Sequence, residues 1–256
     1  MTVEFGRWAT DYAAYRTGFS DEFFSRVRAM GVGLAGQRIL DLGTGAGSLA
    51  RGFAQAGCVV TGIDLAPALL REARRLDIEA AVEVSYRIGQ AEDTGMEAAT
   101  WDVVAAANCW HWLDRPRAAA EARRLLVPGG ALLICHLSYL PSASDLCSTT
   151  EELILERNPT WSMVNATGIY PAWTVDAAEA GFVGLETFSF DTVILHSHEA
   201  WRGRMRTSHG VGASLPEPVV ADFDTALTRV LAERFPSEPL AIPHRVWALI
   251  ARAPTA

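Results

Sequence analysis

Between Arg38 and His136, short apolar runs alternate with segments whose apolar residues recur every three or four positions. Runs at Arg38–Leu42, Cys58–Ile63, Val82–Ile88, Asp102–Ala107 and Ala131–His136 predict five strands. The intervening Ala46–Ala56, Pro67–Arg75 and Pro116–Leu126 carry helical spacing, with Gly57 a natural stop for the first and Pro67 suited to the first turn of the second. The third runs up to Pro128-Gly129-Gly130, which reads as a closing turn. Strand-helix alternation of this kind builds parallel sheets covered by helices. Beyond His136 helices are predicted over Ser144–Glu156, Val175–Ala180, Glu199–Arg206 and Pro218–Phe235, and strands over Leu185–Leu195 and Leu240–Ala251. The stretch 196–239 between the last two strands is far longer than a hairpin needs, so it is expected to be an inserted cap.

At 256 residues the chain fits one large domain, or one domain with a substantial insertion. Half its residues are hydrophobic and 20% charged, which excludes a disordered chain. No apolar run approaches the length of a membrane helix, and Met1-Thr2-Val3-Glu4-Phe5 lacks the order of a signal peptide, so a soluble cytoplasmic protein with no membrane partner is expected. A net charge of −8 gives no footprint for a polyanion, so no nucleic-acid partner is expected. All 22 cationic residues are Arg, which rules out Schiff-base chemistry, a Walker-type phosphate lysine and a lysine base. The four cysteines show no metal or disulfide spacing, and Cys58 and Cys135 read as core.

Asp41-Leu42-Gly43-Thr44-Gly45-Ala46-Gly47 joins a predicted strand to a predicted helix. Glycines there let a ligand approach the backbone, and the helix start offers N–H donors. Ser48 breaks the dinucleotide spacing GxGxxG, which counts against NAD. Asp64 ends the next strand, where a carboxylate can accept from both hydroxyls of a ribose. Gly89-Gln90-Ala91-Glu92-Asp93 and Leu126-Val127-Pro128-Gly129-Gly130 complete an ordered set. With these motifs the chain resembles the class I S-adenosylmethionine-dependent methyltransferases, in particular the small-molecule, trans-aconitate-type branch, strongly over residues 5–136 and loosely beyond.

The resemblance implies a Rossmann-like α/β fold: a seven-stranded, mostly parallel sheet with helices on both faces and a helical cap inserted in the C-terminal half. Its expected anatomy is an N-terminal lid (1–36), a cofactor core (37–136), cap insertions (137–180 and 196–239) and a last strand (240–251). It also implies S-adenosyl-L-methionine as cofactor and S-adenosyl-L-homocysteine as product. Gly43, Gly45 and Gly47 would then face the methionine part, with Thr44 in the same loop and Asn108 also expected to bind the cofactor. Asp41 would reach the amine or only organise the loop. Asp64 would hold the ribose and Leu65 pack on adenine. The adenine amino contact would fall to the Gln90 side chain, the Ala91 backbone or Glu92, unless Gln90 and Glu92 simply form an exposed turn. Tyr15 and Arg16 would meet the cofactor carboxylate, or pack a solvated helix.

Methyl transfer from a sulfonium needs alignment and, for a protonated acceptor, a base. Asn108-Cys109-Trp110-His111-Trp112 follows the fourth strand, at the end that faces the crevice of an open α/β sheet. His111 is the first candidate base, with a loop-bonding role as the rival reading; His209 is second, with His244 beside it. Trp110, Trp112, Tyr170 and Trp201 are expected to wall an acceptor pocket, although several of the cap aromatics should simply pack. Arg202 and Arg206 share a helix face suited to an acidic acceptor, whereas Arg204 reads as solvated or internally paired. The expected activity is O- or N-methylation of a small molecule, such as a secondary metabolite, by a monomer or homodimer without metal. The rival is a non-methylating protein of the same fold, a scaffold, regulator or cyclase, that binds the cofactor.

Overall fold

The computed structural model describes residues 6–255, so the Met1–Phe5 segment weighed above lies outside the described residues. In chain order the elements are α1 (Ala9–Tyr15), α2 (Asp21–Ala29), β1 (Arg38–Leu42), α3 (Ser48–Gln55), β2 (Val59–Asp64), α4 (Pro67–Glu79), β3 (Ser85–Ile88) and β4 (Trp101–Ala107). There follow α5 (Arg115–Leu125), β5 (Leu126–Tyr139), α6 (Asp145–Arg157), α7 (Pro171–Glu179), β6 (Val183–His196), α8 (His198–Arg206), α9 (Glu217–Arg234) and β7 (Leu240–Arg252). The strands form one seven-stranded sheet in the order β3-β2-β1-β4-β5-β7-β6, and the pairs among β1 to β5 are parallel. The α/β fold expected from the sequence is therefore the one observed.

Strand order reverses between β1 and β4, and open α/β sheets bind ligands beyond the carboxyl ends of strands at such a point. β1 can occupy the middle because its last four residues are all buried. Several boundaries shift by a few residues, and two of the shifts have a clear structural cause. Pro128-Gly129-Gly130 lies inside β5 rather than before it: the register jumps from Trp101 opposite Leu126 to Val103 opposite Ala131. The extra residues form a bulge, and there the Gly129 N–H donates to the Ala253 carbonyl and the Ala253 N–H to that of Gly130. α7 begins at Pro171, which occupies its first turn, ahead of the periodic residues.

The chain divides into two compact units. One, the sheet unit, comprises Thr17–Leu137, Ile169–Phe190 and Val246–Ala256; the other, the helical unit, comprises Met1–Arg16, Ser138–Gly168 and Asp191–Arg245. The division cuts through the segments read as a single lid and as a first cap insertion. In the sheet unit, Phe23 and Val27 of α2 are fully buried, and Phe24 meets Phe53 of α3 edge to face. α7 joins the same unit because Trp173 and Ala177 pack into its main core with Leu132, Ile134 and Trp247. The helical unit has its own core, in which Ile154, Trp201, Phe223 and Ile242 are all at least 99% buried. No helix among the described residues is long and apolar enough to cross a membrane.

Candidate functional site

The glycine loop begins at a buried acid. Asp41 is 1% exposed at the end of β1, and the Thr44 hydroxyl donates to its Oδ2 at 2.7 Å. Gly62, paired with Asp41 across the sheet, leaves the space that the Thr44 side chain fills. Burial pushes the Asp41 carboxyl up to about 7, the Thr44 bond opposing and the nearby Asp64 adding to the rise. Its other oxygen, Oδ1, is buried without a hydrogen-bond partner among the described residues, which suits an incoming donor. The loop then turns through left-handed backbone at Gly43, Gly45 and Gly47. A Cβ at Gly47 would overlap the Tyr86 hydroxyl, and one at Gly43 would lie 3.0 Å from Cys109. Only glycine combines that φ with that clearance.

β2 supplies the next group. Asp64 accepts from the Gly45 N–H at 2.9 Å through Oδ2 and from the Ala66 N–H at 2.8 Å through Oδ1. Each carboxylate oxygen has a further lone pair, so both can still accept from a ribose diol. Burial raises the Asp64 pKa, against the backbone N–H groups that lower it. Beside it, Leu65 is 68% exposed and Ile88, paired with Asp64 across β3, is 66% exposed. Two bare aliphatic side chains at adjacent strand ends offer a surface for a flat ring. Sequence reasoning singled out Leu65 and missed Ile88, whose signal was an apolar residue closing a strand just before Gly89.

The remaining residues assigned to the adenine side divide. Ala91 is buried and Gln90 exposed, while the Glu92 carboxylate accepts the Asp114 N–H at 2.9 Å. Glu92 thereby fixes the start of α5, where Asp114 caps the helix by accepting from the Arg117 N–H. Asn108 has left-handed backbone, and its side chain accepts the Leu137 N–H at 2.8 Å, tying the end of β4 to β5. A buried acceptor lacking a partner, a glycine cradle, an acid at the next strand end and an apolar shelf fit S-adenosylmethionine, which Asp41 would meet at its amine, the loop along its methionine chain, Asp64 at the ribose and Leu65 with Ile88 at adenine.

Beyond β4 and β5 stands an aromatic cluster. The His111 ring lies 5.0 Å from Trp112 and 5.4 Å from His136, and His136 lies 4.9 Å from Tyr170. Tyr170 stacks on Trp173 at 4.0 Å, and both meet Trp247 edge to face. The structure thus brings His111, Trp112 and Tyr170 together. It adds His136, a buried polar residue near the carboxyl end of β5, which sequence reasoning did not single out. Trp110 is not part of an open wall: it is fully buried in the core, and its Nε1 donates to Asp176 at 3.0 Å, a carboxylate shared with Arg115. Cys109 is a neutral thiol that donates to the Leu42 carbonyl, its pKa pushed up by burial.

In the helical unit, α1 packs on α8, where Gly203 leaves room for the Tyr15 ring. Arg16 donates to the Thr207 hydroxyl at 3.0 Å and carbonyl at 2.8 Å. Trp201 is another correction: it is fully buried, with Nε1 bonded to Thr150. Arg202 is committed to Asp224 and Glu199, and Arg206 to Asp11, Glu199 and Asp224, so neither offers a spare charge for an acid. Arg204 reverses its expectation as well: it is 6% exposed and pairs with no carboxylate among the described residues. His244 is a core histidine held neutral by burial, its pKa pushed down to about 3. Burial lowers the pKa of His209 too.

A strand-order reversal, a glycine loop with a buried acid and a second acid at the neighbouring strand end define an α/β protein that binds a nucleoside-bearing cofactor. Comparison with known proteins narrows the class. Residues 40–134 match the methyltransferase domain family. The chain is 34% identical over 177 residues to the ubiquinone biosynthesis O-methyltransferase of Xanthomonas oryzae pv. oryzae, covering 68% of this chain and 72% of that one. Among solved structures it resembles the YcgJ protein of Bacillus subtilis, with TM-score 0.61, 17% identity and coverage of 93% and 100%. It also resembles phosphoethanolamine N-methyltransferase 2 of Haemonchus contortus, solved with S-adenosylhomocysteine, with TM-score 0.58, 20% identity and coverage of 99% and 61%. The chain belongs to the class I S-adenosylmethionine-dependent methyltransferases. It is a methyltransferase enzyme whose cofactor is S-adenosyl-L-methionine, in a family that acts on small molecules.

Proposed function

We propose that this enzyme methylates an oxygen of a small, ring-bearing acceptor in a biosynthetic pathway. The observation that carries the reading is the cluster of His111, Trp112, His136 and Tyr170 beyond β4 and β5, a set of flat faces suited to an aromatic or conjugated ring. The O-methyltransferase relative favours oxygen over nitrogen. S-adenosylmethionine, when bound, supplies a methyl group already activated for displacement by its sulfonium. The protein's share is alignment, exclusion of water and removal of one proton. His111, half-buried on a short helical turn after β4, is the residue assigned to accept the proton of the acceptor hydroxyl. Tyr170, held flat on Trp173, would orient the ring.

The test is formation of S-adenosylhomocysteine, followed by chromatography, across a panel of small phenols and hydroquinones. Acceptor-dependent product, with kcat reduced in His111→Gln and its acid limb on the pH profile removed, supports the reading. Micromolar cofactor binding with no acceptor-dependent turnover would favour the non-methylating alternative instead.

A further inference from the structure

Behind the glycine loop the sheet unit buries an ion pair. The side chains of Arg51 on α3 and Asp77 on α4 are 14% and 6% exposed, and the Arg51 Nη1 donates to Asp77 Oδ1. In every other ion pair of the sheet unit among the described residues, the arginine side chain is at least 39% exposed. An ion pair taken out of water is seldom more stabilising than two apolar side chains of the same size, so cohesion of α3 and α4 does not account for this one. The other end of the guanidinium shows what apolar packing could not supply. Arg51 Nη2 donates to the Ala46 carbonyl at 2.9 Å, and the Arg51 backbone N–H donates to the Gly47 carbonyl at 2.8 Å. One residue thus holds two consecutive carbonyls of the loop.

The start of α3 depends on that hold. The helix leaves the loop at Gly47, which has no side chain to cap it. The Gly47 N–H donates to the Thr44 carbonyl at 2.9 Å, so the peptide between Ala46 and Gly47 is fixed at both ends, its N–H by Thr44 and its carbonyl by Arg51. Tyr86 of β3 closes the rear, its hydroxyl standing where a Cβ of Gly47 would lie. Burial and the Asp77 carboxylate raise the Tyr86 pKa, so it packs there as a neutral phenol. We propose that Asp77 is a positioning residue for the cofactor, holding through Arg51 the Ala46 carbonyl and with it the glycine loop along which the methionine part of the cofactor lies. The inference rests on the placement of the cofactor on that loop. Backbone groups fixed before a ligand arrives bind it without a further ordering cost. A planar guanidinium serves a carboxylate and a carbonyl at once, which a compact ammonium does not.

The experiment uses the full chain, with S-adenosylhomocysteine and adenosine as probes, in calorimetric titration, thermal melting and amide hydrogen exchange. The variants are Asp77→Asn, Arg51→Lys and the double variant Arg51→Met with Asp77→Leu. Each should bind S-adenosylhomocysteine about tenfold more weakly than wild type, the scale of one lost charge-assisted bond. Adenosine, which has no methionine part to lie along the loop, should lose less than about twofold. The double variant separates positioning from stability. With both charges replaced by apolar side chains of similar size it should melt no lower than wild type. Exchange of the Gly45 and Gly47 amides should nevertheless quicken, by about tenfold, while the amides of β1 keep their protection. A double variant that binds S-adenosylhomocysteine as tightly as wild type overturns the proposal. So does adenosine affinity that falls in step with that of S-adenosylhomocysteine, which would mark a general loss of structure. Wild type that binds neither probe overturns the placement of the cofactor on the loop, and the proposal with it. Should Asp77→Asn not fold, the double variant and Arg51→Lys decide the matter.

Discussion

Asp41 makes cofactor binding depend on pH in a way that can be calculated. Its carboxyl, enclosed at the end of β1, has a pKa of about 7. If the cofactor's ammonium is received by this group, binding requires the ionised form. With a pKa near 7, the carboxylate is about 90% ionised at pH 8 and about 9% at pH 6, so affinity for S-adenosylhomocysteine should drop about tenfold between them. By pH 5 the loss grows toward about a hundredfold, the ceiling for one charged hydrogen bond. Calorimetric titration from pH 5 to pH 8.5 measures the slope. Asp41→Asn should bind about 10- to 100-fold more weakly at pH 8 and show a flat profile, since the neutral amide does not titrate. Adenosine, which lacks the amine, should show none of the Asp41-dependent slope. Stability runs the other way. A raised carboxyl pKa means that the fold keeps a proton which the unfolded chain releases, so without ligand the protein loses stability as pH climbs from about 4 to about 7. Asp41→Asn should remove that loss and melt higher than wild type at pH 8. An equal pH slope for adenosine, or a slope that survives in Asp41→Asn, would refute the assignment.

Further expectations follow from individual contacts. Gly47→Ala, which drives a Cβ against the Tyr86 hydroxyl at φ +76°, should cost about 1–3 kcal/mol in chemical denaturation and weaken cofactor binding by at least tenfold. Asp64→Ala should abolish measurable cofactor binding in calorimetry while the fold persists by circular dichroism, because its oxygens hold the Gly45 and Ala66 N–H groups and are the ones proposed to receive the ribose. Trp110→Phe, which removes a buried donor from Asp176, should lower stability by about 1–2 kcal/mol and leave acceptor preference unchanged; a change of preference would restore Trp110 to the acceptor wall. Asp224→Asn should lower the melting temperature of the helical core measurably, because two arginines lose their shared carboxylate.

The parts of this protein legible in its sequence are those governed by short-range rules. Strand runs located the central strands because burial on both faces of a parallel sheet forces continuous apolar segments, whereas β6 was legible from its alternation of half-buried and exposed positions. The glycine loop was legible because left-handed backbone demands glycine, and Asp64 was legible as the last residue of an apolar strand run. What the sequence concealed were partnerships between residues far apart in the chain. Trp110 and Trp201 look like a ligand wall in one dimension, yet each indole N–H finds an acceptor 66 and 51 residues away and the ring is sealed into a core. Arg202, Arg204 and Arg206 alternate identically along the chain, and helix periodicity alone separates the faces they occupy. Which face meets acids is decided by Asp11 and Asp224, on α1 and α9, and no local pattern announces either. Ile88 was missed for a related reason: its exposure has meaning only beside Asp64 and Leu65, which the parallel register brings next to it. Apolar side chains left in water at the carboxyl ends of β2 and β3 lose stabilisation that a bound ring would restore, which is the physical reason for proposing that the adenine of the cofactor covers Leu65 and Ile88.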